Sequence, residues 1–200
     1  MSKENDNDSK IINITIHGRG GMGCVTACEI IAEAAYLSGN FIDVHAYPSF
    51  GAERRGAPVQ AYAKLSRTEI IWDRAQIEKP NILIIFDETV LSENIASSLR
   101  KKGYFIINSE KNPDFFLNKY NLHKDIKIIV ADISKIALEN NLTIEGNPVI
   151  NTPILGLLSK ALPDLALENL KTVVYKRMGE EIGRLNYDLI ELAYNYSKIV

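Results

Sequence analysis

The stretch IINITIHGRGGMGCVTACEIIAEAAYL, residues 11–37, decides the fold. Its β-branched start at residues 11–16 is typical of a strand, and this strand ends at a loop that begins with Gly18. Apolar residues at helical spacing follow over residues 25–37, and SGN at residues 38–40 is a good helix stop. The order strand, glycine loop, helix predicts the opening unit of an α/β domain.

The rest of the chain continues this alternation. Continuously apolar runs at residues 81–86 and 127–130 are typical of strands covered on both faces. An alternating run at residues 59–65, a short turn and a second run at 69–72 predict an antiparallel hairpin. From residue 148 onward the apolar spacing is helical. The other predicted elements are strands at residues 41–47 and 104–108 and helices at 93–102, 151–162, 167–178 and 180–196.

These elements predict an α/β fold with three layers: a mostly parallel sheet, helices on both of its faces, an antiparallel hairpin and a helical C-terminal part. A chain of 200 residues without a linker rich in glycine, proline or serine favours a single domain over residues 11–200. Residues 1–10 (MSKENDNDSK) are polar and predict a disordered tail, with no apolar stretch of the kind found in signal peptides or membrane anchors.

Composition and charge narrow the class of protein. Hydrophobic residues make up 46% of the chain and charged residues 24%, which is within the globular range. The formal net charge is only -2, so neither nucleic acid nor a membrane is expected as a partner, and any anion site must be local. Cys24 and Cys28 are too few for a disulfide framework, which favours a cytoplasmic protein.

The glycine loop matches two nucleotide-binding patterns only in part. Gly18, Gly20 and Gly23 satisfy G-x-G-x-x-G, and Asp43 follows the last glycine by twenty residues. In dinucleotide-binding folds the acid lies at the carboxyl end of the second strand, whereas Asp43 is near the predicted start of that strand. The phosphate-loop pattern fits worse, because Cys24 and the residue after it stand where lysine and serine or threonine are needed. A stand-alone dinucleotide-binding protein is therefore a weaker alternative.

On the residues alone, three interpretations of the loop stay open. The N–H groups of the predicted helix start could bind a phosphate, the glycines could allow close packing, or another subunit could approach the backbone. Arg19, with Arg54 and Arg55 from the charged loop at residues 48–57, would place up to three cations at the sheet edge where α/β proteins bind ligands. Arg54 and Arg55 could equally form a solvated cluster paired with Glu53.

The histidines and cysteines carry weaker signals. A lone histidine beside glycines, such as His17, more often fixes a loop by hydrogen bonding than acts as an acid or base. Cys24 and Cys28 are interpreted as small apolar side chains packed on the sheet, although a helix N-terminus can lower the pKa of a thiol such as Cys24. His45 and His123 have no ligand partner at a suitable spacing. The sequence thus predicts neither a catalytic residue nor a metal site.

Two loops together point to one family. The segments HGRGGMG (17–23) and YPSFGAERRGAPV (47–59) resemble the gamma chain of pyruvate:ferredoxin oxidoreductase and its 2-oxoacid relatives. The likeness continues through VQAYAKLS (59–66), NILIIFDETVL (81–91) and NTPILGLLSKAL (151–162). It therefore covers nearly everything except the first ten residues.

The resemblance implies an enzyme of several subunits that oxidatively decarboxylates a 2-oxoacid with coenzyme A as co-substrate and reduces ferredoxin. It also implies that thiamine diphosphate, magnesium and 4Fe-4S clusters belong to alpha, beta and delta-type partner subunits, with no cofactor bound by this chain alone. A 4Fe-4S cluster usually needs four cysteines, and this sequence has two. Pyruvate is the expected substrate because residues 53–59 (ERRGAPV) resemble the pyruvate branch; 2-oxoisovalerate, 2-oxoglutarate and indolepyruvate are alternatives.

A site formed by the two loops is a further implication of the resemblance. The loops at residues 17–23 and 47–57 would face the partner chains and shape the access of substrate and coenzyme A. The family usually has glutamine where this chain has Met22, so hydrogen bonds of that amide are not expected here. A purely structural role in assembly is the third alternative. The candidate residues are Gly18, Arg19, Gly20, Gly21, Met22, Gly23, Ser49, Phe50, Gly51, Glu53, Arg54, Arg55 and Gly56.

Overall fold

The computed structural model describes residues 10–49 and 54–200. The predicted tail, apart from residue 10, and the candidate residues Phe50, Gly51 and Glu53 lie outside the described residues.

A short 3₁₀ helix spans Glu88–Val90. The strands are β1 (Ile11–Arg19), β2 (Asp43–Pro48), β3 (Pro58–Ser66), β4 (Ile82–Ile85), β5 (Tyr104–Asn108), β6 (Lys127–Ala131), β7 (Thr143–Ile144), β8 (Asn147–Pro148) and β9 (Lys198–Ile199). The α-helices are α1 (Cys24–Leu37), α2 (Glu93–Ser98), α3 (Pro113–Lys119), α4 (Ile133–Glu139), α5 (Leu155–Ala161) and α6 (Leu167–Tyr196).

Seven of these strands form one mixed sheet in the order β2-β3-β1-β4-β5-β6-β9. Its centre is parallel, because β1, β4, β5 and β6 all run in the same direction. Its margins are antiparallel: β3 pairs with both β1 and β2, and β9 pairs with β6. The predicted α/β class, with a parallel sheet centre, an antiparallel hairpin and a helical C-terminal part, is confirmed. None of the helices in residues 10–49 and 54–200 is long and apolar enough to cross a membrane.

The partner of the predicted hairpin is different from the one expected. Residues 69–72 form no strand, and β3 pairs instead with β2, with Ser66 opposite Asp43. Both edges of β3 are thereby occupied, by β1 and by β2, so no edge is left for a further strand. From residues 69–72, only Ile71 turns inward and is buried.

The sheet separates two apolar layers. Alternate residues of β1 and β4, such as Ile14, Ile16 and Ile84, pack against α1, α5 and α6 on one face. Their neighbours Leu83 and Ile85 pack against α2 and α3 on the other face. Each fully buried side chain of this size stabilises the fold by about 1.5–3 kcal/mol. The three-layer arrangement follows from this alternation of apolar residues on both faces.

The long helix α6 is broken at Gly179, which has φ 78° and ψ 177°. The two helices predicted at residues 167–178 and 180–196 are therefore confirmed as two segments that meet at this glycine. The first segment is tied to α1, because Lys176 and Arg177 both hydrogen-bond the carboxylate of Glu33. These hydrogen bonds lower the pKa of Glu33.

Candidate functional site

The glycine loop lies at the carboxyl ends of β1 and β4. The chain leaves β1 toward α1 on one face of the sheet and leaves β4 toward α2 on the other face. In α/β proteins such a change of side opens a crevice between the two neighbouring strands, and ligands bind there. The sheet topology therefore places the loop at the position where a binding site is expected.

The glycines of the loop are needed for close packing. A Cβ atom on Gly20 would lie 2.3 Å from the carbonyl oxygen of Arg54. A Cβ atom on Gly23, whose φ is +76°, would lie 2.4 Å from Nδ2 of Asn151. Any larger residue would thus separate the loop from the segments that pack on it. The packing interpretation, left open on the sequence alone, accounts for these two glycines.

The second loop joins the first through the backbone. The N–H of Gly20 donates to the carbonyl of Ala57 at 2.8 Å, and the N–H of Gly56 donates to the carbonyl of Gly20 at 3.0 Å. Gly20 and Arg55 also form an isolated parallel bridge. The described parts of the two candidate loops therefore form one continuous surface. Ser49 directly follows β2, and its N–H donates to the carbonyl oxygen of Gln60.

Arg19 is held by contacts within the chain. Its Nε donates to Oδ2 of Asp87 at 2.8 Å, and its Nη1 donates to the carbonyl of Gly56 at 2.9 Å. Its Nη2 donates to Oγ1 of Thr89 at 2.6 Å. Burial opposes ionisation of Asp87, but hydrogen bonds from Thr89 and Arg19 outweigh it and lower the pKa of this carboxyl. Arg19 therefore acts as a clamp between three segments, which makes it a poorer receptor for an anion than expected.

Arg55 and Arg54 are the exposed cations of this surface. Nη2 of Arg55 lies 3.2 Å from Oε2 of Glu145, with side chains 82% and 68% exposed. Such a pair is worth about 0–1 kcal/mol and is easily exchanged. Arg54 is exposed, and within the described part of the chain no carboxylate forms an ion pair with it. Both guanidinium groups are thus accessible to an external anion.

A cleft of about 630 Å³ separates the glycine loop from the β7–β8 hairpin. Glu145 and Gly146 form the tip of this hairpin with φ 51° and 79°, as a tight hairpin turn requires. Thr26 in the first turn of α1 lines the opposite wall. The first turn of α1 contains no acidic residue, and Gly23 caps it without a side-chain hydrogen bond. The positive end of the helix dipole therefore faces the cleft.

Met22 closes the turn of the glycine loop. The N–H of Arg19 donates to its sulfur at 3.3 Å, and its own N–H donates to the carbonyl of Arg19 at 3.0 Å. Thioether sulfur is a weak acceptor, so this contact is weaker than a hydrogen bond to the side-chain amide of the glutamine that is usual in the family.

Asn151, which sequence reasoning missed, lies against Gly23, and its Oδ1 is buried without a hydrogen-bond partner.

The histidine and cysteines beside the loop are buried. His17 is 7% exposed, and burial lowers its pKa to about 4, so its ring is neutral at physiological pH. Cys24 and Cys28 are 3% and 0% exposed, and burial raises the pKa of the Cys28 thiol. The two cysteines therefore pack against the core as the sequence suggested, whereas the loop-fixing hydrogen bond expected of His17 stays a prediction. In residues 10–49 and 54–200 no three histidine, cysteine or acidic side chains are grouped as metal ligands.

Asp43 lies at the other end of the sheet. It is in register with Ser66 and, through β3, with Ile11, whereas the glycine loop follows Arg19. The nine residues of β1 separate the two positions by about 26 Å, at roughly 3.3 Å per residue. The carboxylate of Asp43 accepts a hydrogen bond from the N–H of Ile71 at 2.7 Å. It is therefore excluded as the ribose ligand of a dinucleotide site.

Four residues of the site escaped sequence reasoning: Asp87, Thr89, Glu145 and Asn151. Asp87 had a usable signal, since it directly follows a predicted strand whose carboxyl end adjoins β1. Glu145 and Asn151 come from distant parts of the chain and gave no local signal. Together with the two loops, they define a class of protein: an α/β protein with a cationic glycine-loop cleft suited to binding an anion or a partner chain.

The particular family follows from comparison with known proteins. The family model for pyruvate ferredoxin/flavodoxin oxidoreductase matches residues 13–196. A gamma subunit common to the pyruvate and ketoisovalerate oxidoreductases of Pyrococcus furiosus is 35% identical over 190 residues, which cover 94% of this chain and 98% of that protein. The chain therefore belongs to the pyruvate ferredoxin/flavodoxin oxidoreductase family and corresponds to a gamma subunit along nearly its whole length.

Solved structures agree with this assignment. The crystal structure of pyruvate oxidoreductase subunit PORC from Thermotoga maritima has a TM-score of 0.80 at 31% identity and covers 96% of this chain and 99% of its own. A 2-oxoglutarate:ferredoxin oxidoreductase from Magnetococcus marinus, with 2-oxoglutarate, coenzyme A and succinyl-CoA bound, has a TM-score of 0.72 at 18% identity. That match covers 94% of this chain but 31% of the other, and it shows the fold alone.

Proposed function

We propose that this chain is the gamma subunit of a pyruvate:ferredoxin oxidoreductase. The whole enzyme decarboxylates pyruvate oxidatively with coenzyme A, giving acetyl-CoA and carbon dioxide, and passes the electrons to ferredoxin. The observation that carries the proposal is the nearly end-to-end correspondence with gamma subunits at 35% identity. The ketoisovalerate named for the Pyrococcus relative makes 2-oxoisovalerate the second candidate substrate. In this proposal the isolated chain is inactive, and the assembled enzyme works in the cytoplasm.

The redox cofactors of the enzyme do not fit this chain. A 4Fe-4S cluster needs four thiolates, and the sequence has two cysteines, both buried in apolar packing on the sheet. In the described residues, side chains that could hold the magnesium ion of thiamine diphosphate are not grouped either. We therefore assign thiamine diphosphate, magnesium and the clusters to alpha, beta and delta-type partner subunits.

The cleft between the glycine loop and the β7–β8 hairpin is our candidate for contact with coenzyme A or with a partner carboxylate. Its volume of about 630 Å³ lies within the usual range for ligand sites of roughly 300–1,000 Å³. The open start of α1 and the exposed guanidinium group of Arg55, which lines the cleft, suit a phosphate group, and the exposed Arg54 is its neighbour in the chain. The coenzyme A bound in the Magnetococcus oxidoreductase is consistent with such a ligand.

The charge of the second loop is tested by the double variant Arg54→Ala, Arg55→Ala in the assembled enzyme. A charge-assisted hydrogen bond to phosphate is worth about 1.5–3 kcal/mol, so we expect the KM for coenzyme A to rise at least 10-fold with kcat nearly unchanged. A loss of assembly instead would indicate that the two arginines bind a partner carboxylate. Arg184→Ala, an exposed arginine on α6, is the matched control. If neither assembly nor the KM changes, the proposed role of the cleft is wrong.

The proposed function as a whole is tested by reconstitution. Ferredoxin reduction that depends on pyruvate and coenzyme A should require this chain together with its partner subunits. Binding of NADH by the purified chain, detected by fluorescence, would support a stand-alone dinucleotide-binding protein. A complex that keeps its kinetic constants without the chain, and loses only stability, would support a purely structural subunit.

A further inference from the structure

The chain's single tryptophan lies on the surface, far from the cleft. Trp72 is 87% exposed, and the nearby Ile70 and Ile42 are 56% and 59% exposed. The hydrogen bond from the N–H of Ile71 to the carboxylate of Asp43 joins the segment that carries Ile70 and Trp72 to the start of β2, next to Ile42. Single exposed apolar side chains are common, but tryptophan is enriched at interface hot spots, and here two further exposed isoleucines belong to the same region.

The segment that carries Trp72 is fixed in place. This segment, residues 69–77, which we call the strap, lies across β2 and β3 without joining the sheet. Two of its own side chains, Ile71 and Ile77, are buried, at 3% and 9% exposure. Because the strap is already ordered, presenting Trp72 to a partner costs little conformational entropy. Four hydrogen bonds hold the strap in place. The N–H of Glu69 donates to Oγ of Ser66, the N–H of Ile71 to the carboxylate of Asp43, Nζ of Lys64 to the carboxylate of Asp73, and the hydroxyl of Tyr47 to the carbonyl of Ala75.

Unpaired cations flank this apolar patch. The edge where β1, β4 and β5 begin is also the edge where the strap starts, because Ser66 and Asp43 are in register with Ile11. The carboxylates of Asp43, Glu69, Glu78 and Asp125 offset part of the charge of this edge, that of Glu69 in an ion pair with Lys10. The cations on this edge that form no ion pair within the described residues include Lys79, Arg100, Lys101, Lys102 and Lys127.

The arrangement selects one kind of partner. A second copy of the chain, paired about a two-fold axis, would bring the same cations toward each other, which is repulsive. From β2 to β5 the surface crosses four strand spacings, about 19 Å, a width suited to an interface of roughly 800 Å² per partner. A neighbouring subunit with an apolar pocket bordered by carboxylates is complementary in both shape and charge.

We propose that this edge, opposite the glycine-loop cleft, is a second docking surface, where Trp72 enters an apolar pocket bordered by carboxylates on another subunit of the oxidoreductase. The inference rests on the proposed function only in taking the chain as a subunit. It assigns separate tasks to the two edges: the cleft shapes access for a ligand, and the Trp72 edge holds the chain in the complex.

The test measures binding of the chain to its immobilised partner subunits by biolayer interferometry at 50 and 300 mM NaCl. Trp72→Ala should weaken binding at least 30-fold at both salt concentrations, as expected for a hot-spot residue. The double variant Lys101→Glu, Lys102→Glu should slow association at least 10-fold at 50 mM NaCl and less at 300 mM. Tyr196→Ala and Arg184→Glu, on exposed parts of α6, are the matched controls.

The possible results separate this inference from the proposed function. Failure of the wild-type chain to bind any partner subunit would contradict the proposed function and this inference with it. Wild-type binding that both variants retain would overturn the docking surface alone. So would Trp72-dependent dimers of the isolated chain in light scattering, or charge-dependent binding to RNA. At saturating concentrations of the chain, the Trp72→Ala enzyme should keep the wild-type KM for coenzyme A.

Discussion

At the scale of single residues, the site is organised by groups that do not react. The guanidinium group of Arg19 donates hydrogen bonds to Asp87 and Gly56, so this positive charge beside the glycine loop stabilises the fold of the chain. His17, at the end of β1, is buried and neutral. What these residues supply is a loop of fixed shape.

The burial of His17 makes stability depend on pH. Its folded pKa of about 4 is below the unfolded value of about 6.5, so between these values the unfolded state binds the additional proton. Stability is complete above pH 6.5 and is lost as the pH falls. From pH 7 to pH 4.5 this group should cost about 2–3 kcal/mol, a loss that His17→Gln should not show.

Urea denaturation of the wild-type protein and of the His17→Gln variant, from pH 7 to pH 4.5, measures the effect of His17 on the free energy of unfolding. Above about pH 7.5 their stability difference should be nearly constant, because His17 is then almost fully neutral in the folded and the unfolded state, and this range is the internal control. Parallel stability curves from pH 7 to pH 4.5 would contradict the burial argument.

At the scale of elements, the glycine that divides α6 has a purely backbone role. Gly179 has φ 78° and ψ 177°, a conformation that side chains strain, yet no atom lies within 4 Å of where its Cβ would be. Gly179→Ala should therefore destabilise the fold by about 1–3 kcal/mol through backbone strain alone. Thermal unfolding measures it, with Glu180→Ala as the control. An alanine variant as stable as wild type would mean that the helix straightens at no cost.

The elements also show how far sequence reasoning reaches. The glycine loop, α1 and the break at Gly179 were predicted because each depends on a local pattern. The strand expected at residues 69–72 was wrong, since alternation gives the faces of a strand but not the neighbour along its edge. The contact of Arg19 with Asp87 spans 68 residues, and no local pattern records it. Trp72 was read as part of that strand, so its exposure on the strap was missed.

At the scale of the whole molecule, the cleft is closed from two distant parts of the chain. Arg55 follows the antiparallel margin of the sheet, and Glu145 belongs to the hairpin between α4 and α5. In the proposed function, their exposed ion pair is the contact that an incoming anion would displace. Binding of an anion in the cleft would therefore be coupled to the position of the hairpin, a property of the folded chain that neither segment has alone.

The coupling predicts opposite effects from the two partners of this ion pair. Glu145→Gln removes the internal competitor for Arg55, so the KM for coenzyme A in the assembled enzyme should fall. The fall should be about 1.5-fold to 5-fold, because exposed pairs are worth about 0.2–1 kcal/mol. The KM should rise in Arg55→Ala, whereas Glu180→Gln, an exposed change on α6, should leave it unchanged. A KM that rises in both Glu145→Gln and Arg55→Ala would mean that the intact pair, rather than Arg55 alone, binds the ligand.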